Sequence, residues 1–148
     1  MGPALLGAVA KSHRDLRAWQ RADGVRRRII ALCARPAVKR DFKFCDQADR
    51  AAESACRNIA EGFARYGHAD FARFVTIARS SLTELLDSLD EASVKRYLDA
   101  TEHKDFERAI KSAMVSANSL RRYLQSTPTP KERCGKKRKP GSGDSSAR

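Results

Sequence analysis

The chain is poor in the residues from which most enzyme and metal sites are built: among 148 residues there are three histidines, four cysteines and one tryptophan. Cys33, Cys45, Cys56 and Cys134 stand eleven residues apart or more. No Cys-x-x-Cys pair therefore starts a zinc or redox motif, and a reducing cytoplasm is the expected setting. His13, His68 and His103 all fall near predicted helix ends, and none follows a glutamate by three residues. That excludes the Glu-x-x-His sets of di-iron bundles, so solvated or capping histidines are expected and no metal ligands. Ser80, Ser81 and Ser88 have no helical partner histidine, and phosphate-loop glycine patterns are absent. Nothing calls for a cofactor. Long apolar runs are missing as well. The opening "MGPALLGAVA" has no basic start and is far shorter than the roughly 20 residues of a membrane span, so neither a signal peptide nor a membrane anchor is expected. Alternating strand patterns and solenoid-length repeats are also lacking.

Acid is scarce relative to base: 18 Asp and Glu face 30 Lys and Arg, for a net charge of +12 and a pI near 10.1. Such an excess favours a polyanionic partner, either nucleic acid or an anionic surface. With 41% apolar residues, the chain can bury one core of modest size.

Helical spacing organises most of that apolar content. Ala18, Ala22, Val25, Ile29 and Leu32 line one face of a first helix over Arg14–Arg35, flanked by Trp19, Ile30 and Cys33 and ended by Pro36. A second helix carries Phe44, Ala48, Ala52, Ala55, Ile59, Gly62, Phe63 and Tyr66 on its core side, with Asp46, Asp49, Arg50, Glu53 and Arg57 opposite. Its mostly small core residues let neighbouring backbones approach closely. After a break at Gly67, a third helix capped by Asp70 or His68 presents Phe71, Phe74, Val75, Ala78, Leu82, Leu85, Leu86 and Leu89. The fourth presents Phe106, Ile110, Ala113, Ala117, Leu120 and Leu124, with Asp99 and Thr101 as candidate caps. Four helices with short connectors predict an all-α, up-down antiparallel four-helix bundle over residues 13–126. Residues 1–12 form an N-terminal extension. Residues 127–148 have no apolar periodicity and hold seven basic and two acidic residues, which reads as a disordered basic tail.

Two features invite a functional reading. Gln47, Ser54, Asn58, Glu61 and Arg65 form a polar strip beside the core face of the second helix. It is either a boundary strip with ordinary ion pairs, or a site in which Glu61 acts as general base with Asn58 orienting it. The first reading is preferred, because no second acid, histidine or metal cluster accompanies Glu61; no catalytic residue is assigned. Arg14, Arg21, Arg28 and Arg35 recur every seven residues on the first helix, with Arg17 beside them. They make a stripe stepping ~10.5 Å along the helix axis. Only Asp15 and Asp23 offset the seven arginines of this region. A guanidinium row follows a phosphate backbone without reading bases. Lys136, Lys137, Arg138 and Lys139 in the tail would add non-specific affinity. The alternative is a solvated face, or one that meets acidic protein surfaces.

"DLRAWQRA" (15–22), "QADRAAESACRNIAEGFAR" (47–65) and "FARFVTIARSSLTEL" (71–85) resemble a family of bacterial four-helix-bundle proteins. Its members were noticed as reading frames in intervening sequences of large-subunit ribosomal RNA genes, and its relatives include the accessory variability determinant of diversity-generating retroelements. The resemblance spans about Arg14–Gln125 and is most specific at Asn58-Ile59-Ala60-Glu61-Gly62, with Trp19 a further motif residue. It implies a left-handed bundle assembling as a homopentamer. In the retroelement members it implies a non-enzymatic basic ring that binds RNA or DNA and a reverse transcriptase. The chain departs from the family pattern at Ala48 and Ala55, at Cys56 in place of a proline, at Asp49 and Glu53 on the outward face, and at Arg96 where a glycine is usual. The "DATEHK" segment (99–104) is a small insertion. The sequence reading is thus a basic, oligomeric nucleic-acid-binding bundle without catalytic activity, with a protein-interaction scaffold as its alternative.

Overall fold

The structure is a computed structural model that describes residues 10–130. A 3-10 turn, His13–Asp15, precedes four α-helices: α1 (Arg17–Cys33), α2 (Phe42–Phe63), α3 (His68–Val94) and α4 (Ala100–Ser126). Connectors of eight, four and five residues are too short to run back along helices of 22 to 27 residues. Successive helices are therefore antiparallel neighbours. Packing closes the ring, with α1 against α2 and α4, and α3 against α2 and α4. No strand occurs among the described residues.

The core is the one the apolar spacing dictates. Ala18, Ala22, Val25, Ile29 and Leu32 of α1 are buried, as are all six expected positions of α4. Small residues fill α2: Ala48, Ala51, Ala52 and Ala55 are almost fully enclosed, which brings the helix axes close. Phe74 and Leu86 of α3 lie half-buried at the edge of this core. Tyr66, expected on the core side of α2, is exposed instead, because α2 ends at Phe63 and Tyr66 belongs to the connector.

Three helix ends differ from the sequence reading. The first helix does not begin at Arg14. Ser12 and Asp15 form a capping box that commits residues 12–15 to their own turn. Leu16 then adopts an extended conformation and packs into the core. At the other end α1 stops at Cys33, leaving Arg35 in the turn before Pro36, whose ring disfavours a helical residue ahead of it. Neither His68 nor Asp70 caps α3: Gly67 occupies the cap position, and the backbone N–H of His68 donates to Thr129 Oγ1 at 3.1 Å. The His68 ring is buried rather than solvated, with Nδ1 2.7 Å from the carbonyl oxygen of Thr127. Residues 127–130, at the start of the expected tail, are thus tied to the bundle. Asp99 caps α4 as expected, in a capping box with Glu102.

The polar turns at one end are joined by Asp41. Its Oδ1 accepts from the backbone N–H of Phe44 and caps α2, while Oδ2 accepts from Lys95 Nζ at 2.6 Å and Tyr97 O–H at 2.8 Å. Tyr97 also meets the edge of Phe44 at 5.3 Å between centroids. This carboxylate ties the α1–α2 connector to the α3–α4 connector.

Candidate nucleic-acid interface

The arginine repeat does not stand free on one helix. It lies along the seam between α1 and α4. Arg21 Nη1 donates to Ser116 Oγ at 2.8 Å and to the Ser112 carbonyl at 3.4 Å. Arg28 Nη1 reaches the Asp105 carbonyl at 3.4 Å, with its guanidinium 5.9 Å from the Phe106 ring centroid. Arg35 pairs with Glu102 at 2.7 Å and donates to the Tyr97 carbonyl. From Arg21 to Arg28 on α1 and on to Arg35 in the turn beyond it, the partners fall from 116 to 97. That is the register of two antiparallel helices, and a seven-residue arginine step matches it because two turns of each helix advance together.

The seam therefore uses its arginines structurally without exhausting them. Arg21, Arg28 and Arg35 remain exposed, and Arg21 and Arg28 each commit a single guanidinium nitrogen. The fork has five N–H donors, so the remainder point to solvent in an orientation fixed by the first contact. Arg14 and Arg17 are exposed and have no side-chain partner among the described residues. Arg14, however, sits in the 3-10 turn, so the stripe is interrupted at Leu16 rather than continuous.

α4 adds basic residues that helix-by-helix reading passes over. Lys104, Arg108, Lys111 and Arg122 are exposed on it. Arg108 is offset by Asp105 at 3.2 Å and Lys111 by Glu107 at 2.6 Å, whereas Arg122 has no partner among the described residues. α3, diagonal to α1, instead exposes Glu84, Asp87 and Asp90. Asp46, Asp49, Glu53 and Glu61 are exposed on α2, so exposed acid lies mostly on α2 and α3. Lys136, Lys137, Arg138 and Lys139 lie outside the described residues.

The polar strip of α2 forms a tie to α3. Asn58 Nδ2 donates to the Ser54 carbonyl at 2.8 Å and to Ser54 Oγ at 3.1 Å, and Ser54 Oγ lies 2.8 Å from Ser81 Oγ on α3. Asn58 is thus engaged with Ser54, not with Glu61. Glu61 is exposed and paired with Arg65 at 2.6 Å, and the Arg65 guanidinium rests 4.8 Å from the Phe74 ring centroid. Arg57, four residues before Glu61, pairs with Glu53 instead. Gly62 is buried against Phe71, and Trp19 lies half-buried with its ring edge-on to His13 at 5.2 Å. The motif positions are packing and boundary residues. Among the described residues no three His, Cys, Asp or Glu side chains are placed to hold a metal ion. No helix among them is long and apolar enough to cross a membrane.

A four-helix bundle with an arginine-lined seam defines the class. Residues 14–119 match the 23S rRNA-intervening sequence protein family, and the chain belongs to it. The match covers most of the 3-10 turn, α1–α3 and most of α4. No curated protein matches the chain in sequence.

Proposed function

We propose that the protein binds RNA, or DNA, through the phosphate backbone along the α1–α4 seam, without catalytic activity. The carrying observation is the set of incompletely neutralised guanidinium groups on the 3-10 turn, α1 and α4, Arg14, Arg17, Arg21, Arg28 and Arg122, whereas the exposed acids lie mostly on α2 and α3. Partly committed arginines are oriented donors for phosphate oxygens, and contacts to phosphate position a nucleic acid without reading its sequence. Membership of a family named for an intervening sequence in 23S rRNA supports RNA as the natural ligand. Tail residues Lys136–Lys139 extend the same electrostatic attraction, and the reducing cytoplasm suits the three free cysteines of the bundle.

Fluorescence anisotropy with full-length protein and labelled RNA of several sequences tests this reading. Affinity is expected to fall steeply with salt and to depend little on sequence, with log K losing about 0.7–0.9 per decade of salt for each phosphate contact. Arg14, Arg17 and Arg122 are the diagnostic residues, because none holds the bundle together. Reversing all three to Glu lowers affinity about tenfold or more at 0.1 M salt and flattens the salt slope by about 2. Unchanged binding in that variant removes the seam as the interface.

A protein partner is the second reading, favoured by Phe42 and Ile30, which are exposed side by side at the α1–α2 end. Retention of a partner after nuclease treatment selects it. The family resemblance extends both readings to a homopentamer that assists a reverse transcriptase. Mass in solution tests the first extension and co-purification with the polymerase the second.

A further inference from the structure

Cys33 ends α1 and Cys45 lies in the first turn of α2. Both are half-buried, and both line one solvent-open cavity of about 780 Å³ bounded by Ile30, Ala34, Phe42 and Asp49. The elements that carry them are fixed. Asp41 caps α2 and is itself held by Lys95 and Tyr97, while the turn before it is closed by backbone bonds from Val38 and Lys39 to the Arg35 carbonyl. The Cys45 thiol donates to the Val38 carbonyl at 3.6 Å, which holds it toward the α1–α2 connector. Burial, and then the hydrogen bond it shares with Cys45, push the Cys33 thiol up to about 12. Both thiols thus line the same solvent-open cavity, one from the end of α1 and the other from the first turn of α2, where small molecules can enter. Cys56 is set apart, buried near Asp23 and Arg26.

We propose that Cys33 and Cys45 form a dithiol modification site whose co-reactant is a small, glutathione-type disulfide. Cys45, as thiolate, attacks one sulfur of the small disulfide, forming a mixed disulfide and releasing one small thiolate. Cys33 loses its proton, attacks the Cys45 sulfur and releases the second small thiolate. Two protein thiols are oxidised to one disulfide, one small disulfide is reduced to two thiols, and the two cysteine protons end on the departing sulfurs. Cys33, whose proton is hard to remove, makes the second step slow and accelerated by alkali. The new bond clips the end of α1 to the start of α2 beneath Phe42 and Ile30. Excess thiol reverses it.

Full-length protein carrying Cys134→Ser is incubated in glutathione buffers of stepped thiol-to-disulfide ratio, acid-quenched, alkylated in denaturant and digested. The expected product is a single Cys33–Cys45 crosslinked peptide pair, formed faster at pH 9 than at pH 7 and accompanied by a raised melting temperature. Cys33→Ser stops at a stable glutathione adduct on Cys45, and Cys45→Ser slows modification of Cys33 tenfold or more. Separate glutathione adducts on both cysteines of one molecule overturn the proposal, as does retention of both free thiols at every ratio. Phenylarsine oxide, which bridges closely spaced thiols without redox chemistry, is expected to shield both residues from alkylation. Alkylation of both in its presence shows the thiols to be too far apart and likewise overturns it.

Discussion

A Cβ on Gly62 would lie 2.5 Å from Cδ2 of Phe71 and 2.9 Å from Cβ of Phe74, so the first turn of α3 rests directly on the backbone of α2. Phe71 cannot swing away freely, since it is buried and packs edge-on against Phe63 at 6.2 Å. Replacement by alanine gains helix propensity of about 1 kcal/mol. Overpacking costs roughly 1–3 kcal/mol and outweighs it. Gly62→Ala is expected to destabilise the protein by up to about 2 kcal/mol in urea unfolding. A neutral or stabilising result would show that the Phe71 turn adjusts without cost.

Arg96 takes the left-handed conformation, φ 60°, just past the end of α3. Its N–H donates to the Ser93 carbonyl and that of Tyr97 to the Ala92 carbonyl, the paired bonds of a Schellman motif in which glycine is preferred. The side chain is exposed and has no partner among the described residues. Arg96→Gly relieves the steric cost of a Cβ there, less the entropy added to the unfolded chain, for an expected gain of about 0.5–1 kcal/mol. Loss of stability in chemical denaturation would contradict this.

The Asp41 carboxyl is pushed down to about 2, first by Lys95, then by the Phe44 N–H and the Tyr97 hydroxyl. Its folded value lies below the unfolded one near ~4. Its contribution is therefore fully present above about pH 4 and is lost as pH falls toward 2. Asp41→Asn is expected to lower the melting temperature at pH 7, with the gap to wild type closing between pH 4 and 2. A gap that stays constant over that range would mean the charge on Asp41 adds nothing.

Asn58 and Glu61, adjacent on the most specific motif, separate on mutation. Asn58→Ala removes two hydrogen bonds at a half-buried position and leaves Ser54 Oγ with Ser81 alone, costing about 1 kcal/mol. Glu61→Gln removes an exposed ion pair with Arg65 and costs about 0.5 kcal/mol or less. Neither is expected to abolish nucleic-acid binding. If Glu61→Gln alone did so in the anisotropy assay, the motif and not the α1–α4 seam would be the interface.

Much of the bundle is legible one helix at a time. The spacings at 18, 22, 25, 29 and 32 and at 106, 110, 113, 117, 120 and 124 name core residues that are indeed buried, since a regular helix fixes which positions share a face. The outward placement of Asp46, Asp49, Arg50, Glu53 and Arg57 follows from the same geometry. The candidate interface was less legible. Periodicity marks the arginines, but Arg108 and Arg122 sit on a helix read mainly for its apolar face. The break at Leu16 depends on a capping box that competes locally with helix continuation.

Local periodicity and composition, which need no knowledge of long-range contacts, were enough to determine four amphipathic helices, their core faces, the antiparallel order forced by short connectors and the basic character. Only the tertiary structure decided which arginines became ties. Arg21, Arg28 and Arg35 meet partners 62 to 95 residues away, and no spacing rule reaches that far. The same holds for Asp41 with Tyr97, for His68 with Thr127 and Thr129, and for the cavity that Cys33 and Cys45 both line. Each depends on two chain segments brought together by packing, which fixes distance and burial where sequence fixes only residue type.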